Sequence, residues 1–328
     1  MGTYILSYPG PAFRSQAREV GSEAGAQDSG VAQRAFQQWL DLCDKLLRAG
    51  GRILVIDPPA DAASQGQAID GLADPVYASR IGAPFLTPPT GGPVFLRARG
   101  AQEGLPPEQD AVSLALRRAG MNVQTAHHRW QGQAEIVVLP RNRFLLTYGP
   151  DSDAASCDEV KQLLPMGAHV LCVEMAKSNG LSGLAHFVSK SNSSVLLVDR
   201  SALRSHTPED IAKFVVGGKT ELFILGAEDC AAHATEGVCE RGHVLLPTGT
   251  STTVRGNLVR RGFQVDDVDV SALFGPGGGG PRALCNEWHG FVLSDESPSY
   301  ATRRDELMLL LERYGGEKAK EKAKEKAS

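Results

Sequence analysis

Short apolar runs and one amphipathic stretch alternate along this chain in a repeating order: run, run, helix, run. The first unit opens with Tyr4, Ile5 and Leu6. A helical stripe of Phe36, Leu40, Cys43, Leu46 and Leu47 follows, stops at Gly50 and Gly51, and leads into a run at 52–56. The second unit has a run at 93–96, a helix over 108–119 that Gly120 ends, and a strand led by Val123. The third opens on a hairpin, 135–139 and 144–148 turned at Arg141 and Asn142, followed by a helix over 153–164 and a run at 169–173. The fourth repeats this with 184–188, 194–198, a helix over 208–216 capped by Thr207, and 221–225. The fifth has 237–239 and 243–247 joined by a short turn, a helix over 252–261, and a strand from Phe263. A last run at 289–293 and a helix over 300–314 close the pattern.

Five strand–strand–helix–strand units predict an α/β fold: a five-bladed α/β-propeller of pseudo-five-fold ββαβ modules. One strand of the first module would come from the end of the chain. Closure into a ring leaves few open sheet edges and puts a cleft on the axis. A doubly wound sheet also alternates strands and helices, but it has few hairpins, and units three to five each open on one. The ring would occupy residues 1–316 as a single domain. Residues 60–90, rich in Ala, Gly, Pro and Asp, read as a long surface loop. Residues 317–328 read EKAKEKAKEKAS, with like charges four apart and opposite charges three apart, so this tail is a marginal solvated helix or disordered.

Composition narrows the classes. With 42% hydrophobic residues among 328, the chain can bury a large core. A net charge of −4 argues against nucleic acid or an anionic membrane surface as the partner. No apolar run approaches the ~18–20 residues that cross a bilayer, and no charged segment followed by an apolar core marks a signal peptide. The six cysteines, at 43, 157, 172, 230, 239 and 285, include no CxxC pair. That usage points to a reducing compartment, the cytoplasm or an organellar matrix. Cys172, inside the apolar run 170–173, reads as a small buried hydrophobe. Apart from the pair His127 and His128 the histidines are scattered, so no metal site is expected. Neither a dinucleotide-type glycine turn nor a P-loop is present, so no cofactor is expected.

One stretch is chemically more specific. Gly277, Gly278, Gly279 and Gly280 run through Pro281 and Arg282 to Ala283, Leu284 and Cys285. This resembles the C-terminal signature of the guanidine-modifying (pentein) superfamily of arginine deiminases, dimethylarginine dimethylaminohydrolases and amidinotransferases. The resemblance spans most of the chain and implies the same five-bladed fold. It also implies a thiolate attacking a guanidinium carbon, a histidine moving protons, and carboxylates gripping the cationic nitrogens.

The motifs depart from that pattern together. The nucleophile position falls on Ala283, and the nearby thiol, Cys285, lies two residues on, roughly 6–7 Å along an extended chain. In the second module the polar position falls on Ala98, flanked by Arg97 and Arg99. In the third, Gln131 replaces the first carboxylate, and Glu135 is either the second or a strand-entry residue facing solvent. An arginine expected after the next strand falls on Asp151. In the fourth, His186 occupies the histidine position, but its acidic neighbour is Val188, and a structural histidine fits as well. Arg282 matches a common family residue, positioned to fix the loop or bind an anion. His127, His128 and Trp130 either line the cleft or pack within their loop.

Two readings follow from the resemblance. One is a protein that has lost guanidine hydrolysis and serves as a non-catalytic binding or structural subunit, with a small guanidine or anionic ligand or protein partners in a larger assembly. The other is a divergent hydrolase or amidinotransferase acting on a guanidine or amidine, with Cys285 as nucleophile and His186 as acid/base.

Overall fold

The computed structural model describes residues 2–9, 29–57, 77–86, 93–99, 113, 116–117, 120–176, 183–216, 219–274, 279–288 and 299–325. It contains five three-stranded sheets built on one plan. A central strand pairs antiparallel with one neighbour and, across a crossover, parallel with the other.

In the first sheet β1 (Thr3–Ser7) runs parallel to β2 (Arg52–Ile56), across α1 (Ser29–Arg48). The second is β3 (Gly82–Phe85), β4 (Val94–Arg97) and β5 (Asn122–Thr125). The third is β6 (Ile136–Leu139), β7 (Arg143–Tyr148) and β8 (His169–Glu174), with α2 (Ala155–Leu163) in the crossover. The fourth is β9 (Leu184–Val188), β10 (Ser194–Val198) and β11 (Thr220–Ile224), with α3 (Pro208–Val216). A short α4 (Ala227–Ala231) leads to the fifth: β12 (Val238–Glu240), β13 (His243–Pro247) and β14 (Gln264–Val268), crossed over by α5 (Thr252–Arg260). Finally β15 (Asn286–Trp288) returns to pair with β1, Thr3 opposite Trp288 and Ile5 opposite Asn286.

Burial explains the sequence pattern. Every residue of β1, β4 and β10 is buried, because a central strand is covered on both faces, and such strands read as continuous apolar runs. Exposed and half-buried positions alternate along the outer strands β5 and β14, except that Val268, the last residue of β14, is buried. Local chemistry fixes the element ends. Thr207 and Asp210 bond each other's backbone amides at the start of α3, a capping-box arrangement, and the Ser251 hydroxyl accepts from Val254 N–H at the start of α5.

Among the described residues no strand of one sheet pairs with a strand of another; the modules meet by side-chain packing, helped by a few backbone bonds such as Trp130 N–H to Arg99 O and Arg204 N–H to Glu174 O. Ile5, Leu54, Phe95 and Trp288 join the first sheet to the second. Phe85, Leu96, Ile136 and Leu146 join the second to the third. Val137, Leu145, Leu184 and Leu196 join the third to the fourth, and Phe187, Val195, Val244 and Leu246 the fourth to the fifth. Val238 and Leu245 then meet Tyr4, Leu6 and Trp39, returning to the first. This succession of five cores is the propeller predicted from the repeats.

Several expectations need correction. Residues 60–90 are not all surface loop: Tyr77, Ala78 and Ser79 are buried, Ala78–Arg80 form a 3-10 turn, and β3 follows. Gly82 and Pro84 had disguised this strand. β15 closes the first sheet, and the run 289–293 lies outside the described residues. Of the helix predicted over 108–119, Ser113, Leu116 and Arg117 are described and are helical. The last helix, α6 (Tyr300–Glu325), continues past Tyr314. It is held on α1 by Tyr300, whose ring meets Trp39 edge-on at 6.0 Å and whose hydroxyl donates to Asp44. No described helix is long and apolar enough to cross a membrane.

Candidate functional site: the mouth of the ring

The central strands end, and the first strands of the sheets begin, at one end of the ring. In four modules a 3-10 turn stands immediately before the first strand or one residue from it: Ala78–Arg80, Gly132–Glu135, Ala234–Glu236 and Pro281–Leu284. These turns pack on one another around the axis. Close approach explains two glycines. Gly132 has a φ of +67°, and a Cβ there would lie 2.7 Å from Gly82 N and Ser79 O. At Gly280 a Cβ would lie 2.5 Å from the Glu236 Cβ.

The segment after the glycine run is a hub of side chain to main chain bonds. Ser79 Oγ donates to Ala283 O at 3.1 Å. Arg282 donates through Nη1 to Leu184 O at 2.6 Å and through Nη2 to Ile136 O at 2.8 Å, tying the third and fourth modules together. Asn286 Nδ2 donates to Ala78 O and Gly82 O, and Trp288 Nε1 donates to Asn286 Oδ1. The Gln133 amide exchanges two bonds with the backbone of Glu287.

A shallow open cleft of about 20 Å³ lies beside this hub, lined by Gln131, Glu135, Tyr148, Asp151, Ser152 and Met175 among others. Glu135 is its chemical centre. The Ser152 hydroxyl donates to Oε1 and the Gln131 amide donates to Oε2 at 3.1 Å. Burial pushes this carboxyl up to about 7, against the opposing pull of those two bonds. Gln131 Nε2 also donates to Asp151 O at 3.4 Å. Toward the axis, Arg80 is largely buried, 5.5 Å from the centre of the Tyr77 ring, with Glu236 the largest charge acting on it and Asp151 a smaller one. Burial pulls its guanidinium down from the usual arginine range, and these neighbours oppose that pull.

The predicted residues therefore separate. Gln131 and Glu135 come together at the cleft. Ala98 packs in the core between the second and third sheets, its N–H bonded to Ile81 O. Ala283 is buried and its carbonyl is used by Ser79. Arg282 bonds two backbone carbonyls, as a residue that fixes its surroundings would. Cys285 is sealed in the core with Tyr4 and Cys43, and burial pushes its thiol well above the ordinary range. His186 faces Ser194, Nε2 and Oγ 2.5 Å apart, and burial pulls it down to about 4. No hydrogen bond links Cys285 to His186; each instead feels the Glu287 carboxylate. The expected nucleophile and acid/base pair is thus not assembled, because a core packs around one member and a strand pair holds the other. His127 and His128 are exposed, their amides bonded to the Glu159 carboxylate, and Trp130 is buried against Phe85, which is the packing alternative. Sequence reasoning missed Arg80, Glu236 and Ser152. Arg80 sat in the segment read as loop, and no local spacing ties Glu236 to it.

No protein-family model and no curated protein sequence matches the chain. Solved structures do. The N-terminal domain of ArgZ, a cyanobacterial arginine dihydrolase in a cysteine-to-serine mutant bound to substrate, is 14% identical with a TM-score of 0.66, covering 88% of this chain and 98% of that one. A cysteine-to-alanine mutant of AgrE in complex with L-arginine is 16% identical with a TM-score of 0.67; 90% of this chain is covered but 41% of AgrE, so the likeness spans about two fifths of that protein. DDAH from Pseudomonas aeruginosa, complexed with citrulline, is 16% identical with a TM-score of 0.60 over 87% of this chain and 98% of that one. Five ββαβ modules joined by five cores, with these likenesses, give the chain the pentein fold, the five-bladed α/β-propeller of guanidine-modifying enzymes.

Proposed function

We propose that this protein is a non-catalytic pentein-fold protein that uses the cleft around Glu135 to bind a small cation of the guanidinium type. The observation that carries the reading is the fate of the nucleophile position. Hydrolysis of a guanidinium needs a thiolate within reach of its central carbon. Ala283 has no nucleophile, and Cys285 is buried with its thiol held protonated. No cysteine lines the described cleft. Binding chemistry, by contrast, is retained. A carboxylate oriented by Ser152 and Gln131 is suited to charge-assisted hydrogen bonds, and Asp151 adds charge at the rim.

Two measurements test the reading. Incubation with L-arginine, agmatine and dimethylarginine should give no ammonia, amine or citrulline. Calorimetric titration with the same compounds should give binding that strengthens as pH rises through about 7, as Glu135 ionises, and that is lost in Glu135→Gln. Turnover that Cys285→Ser abolishes would establish the divergent hydrolase or amidinotransferase instead.

A further inference from the structure

Behind the cleft lies a second cluster that the ligand reading does not use. Cys157 and Lys161 stand four residues apart on α2 and so share one face of the helix. Cys172 projects from β8 toward that helix: with Val170 it packs into the core that contains Cys157, Val160 and Leu164, whereas Val173 joins a different cluster. Cys157 and Cys172 thus share one packed core, and Lys161, paired with Asp158 at 2.9 Å, stands one helical turn from Cys157 on the same face. Cys157 is buried, but Cys172 is half-buried and Lys161 is 39% exposed, so a small oxidant has a path to the Cys172 sulfur. Cys172 is therefore more than the small hydrophobe its apolar run predicts.

We propose that Cys157 and Cys172 form a peroxide-sensitive dithiol, with Cys172 as the attacking sulfur, Cys157 as the resolving one and Lys161 as the activating cation. The inference is independent of what the cleft binds.

The charges around the pair support these roles. Contact with Cys157, then the charge of Lys161, holds the Cys172 thiol below the ordinary range, against burial and Asp158. The same contact, then burial, push Cys157 up, with Glu135 adding to the effect. Tyr148, which lines the cleft, feels Cys157 and Cys172 as well as Glu174. The more exposed sulfur is thus the one whose thiolate is favoured, and the buried one keeps its proton, the division that disulfide formation requires.

The reaction balances with a hydroperoxide as the oxidant. The Cys172 thiolate attacks the terminal oxygen, the O–O bond breaks, and the departing alkoxide or hydroxide takes a proton from solvent. Cys172 is left as a sulfenic acid, its sulfur oxidised and the peroxide reduced to alcohol or water. Cys157 then attacks the Cys172 sulfur, the S–O bond breaks, and the leaving hydroxide takes the Cys157 proton to depart as water. The disulfide ties α2 to β8, directly below the loop that carries Ser152. An external dithiol reverses the change.

The full-length reduced protein should be treated with hydrogen peroxide at pH 7, and its thiols mapped by differential alkylation and mass spectrometry. The expected result is the loss of two thiols and a cross-linked peptide pair containing Cys157 and Cys172, with Cys43 and Cys285 still reduced. Cys157→Ser should accumulate a dimedone-reactive sulfenic acid on Cys172. Lys161→Gln should slow oxidation roughly tenfold, since the rate follows the thiolate fraction. Oxidation that begins at Cys230 or Cys239, or Cys172 that reacts no faster than those two, overturns the proposal. Mapping of the unmodified chain decides the matter even if a variant fails to fold.

Discussion

Two turns at equivalent places in the repeat have taken opposite roles. Pro281–Leu284 and Gly132–Glu135 are both four-residue 3-10 turns at the start of a sheet, at the mouth of the same ring. The first has turned inward: Pro281, Ala283 and Leu284 are buried, and its polar contacts go to backbone carbonyls. The second is buried at Gly132, Ala134 and Glu135 as well, but it borders the cleft and carries a carboxyl that burial raises to about 7. One turn of the repeat is given over to holding modules together, while another keeps a carboxyl beside the cleft. At the hub, Ser79, Arg282 and Asn286 bond backbone carbonyls and hold the modules together.

The largest expected effect tests the structural turn. Gly280→Ala places a methyl against Glu236 and Pro247 and should cost about 2–4 kcal/mol in chemical denaturation, since overpacking beside backbone relaxes poorly. A cost below about 1 kcal/mol would mean that the hub is loose.

The next test sets Glu135 against His186. Glu135 is raised from 4.5 to about 7 in the folded protein, so its contribution is present below 4.5 and is lost as pH rises to about 7. His186 is lowered from 6.5 to about 4, so its contribution is present above 6.5 and is lost as pH falls to about 4. Each loss is about 3 kcal/mol by linkage, and the slopes oppose one another. Glu135→Gln should therefore uncover a stability that climbs from pH 4 to 6.5, and His186→Gln one that declines from pH 4.5 to 7. Parallel profiles in the two variants would contradict both assignments.

Cys285→Ser puts a hydroxyl into an apolar core and should cost about 2 kcal/mol while leaving cation binding at the cleft unchanged. Altered binding in this variant would place Cys285 in the site. The smallest effect is expected for Ser152→Ala, about 1 kcal/mol in stability. Removing this donor should push the Glu135 carboxyl still higher, readable as a later midpoint in the pH dependence of binding.

The sequence carried the modular plan well, because hairpins and covered central strands leave strong apolar signatures. It failed where strands are short and polar. Asn286 and Glu287 do not look like strand residues, yet β15 is fixed by the bonds of Asn286 to Ala78 and Gly82 and of Glu287 to Gln133, all distant in the chain. At the site, Gln131 and Glu135 were legible because one turn presents both. Ser152 and Arg80 were not, since the first arrives from the loop after β7 and the second from a turn hidden in a segment rich in Gly and Pro. Cys285 shows the converse limit: glycine-rich surroundings suggested reactivity, and only packing revealed that the thiol is enclosed.

The pairing of β1 with β15 has a consequence for how the molecule is made. Thr3 leaves a ribosome well before its partner Trp288, which follows nearly 300 residues later. The modules between them use contacts that are local in sequence and can fold as they emerge. Sheet one cannot, because one strand of it is missing until then, and such long-range closure is slow. Until Asn286 to Trp288 arrive, β1 presents an open edge along its Thr3–Ile5 side, and that interval is when the nascent ring is most exposed to strand exchange with another copy.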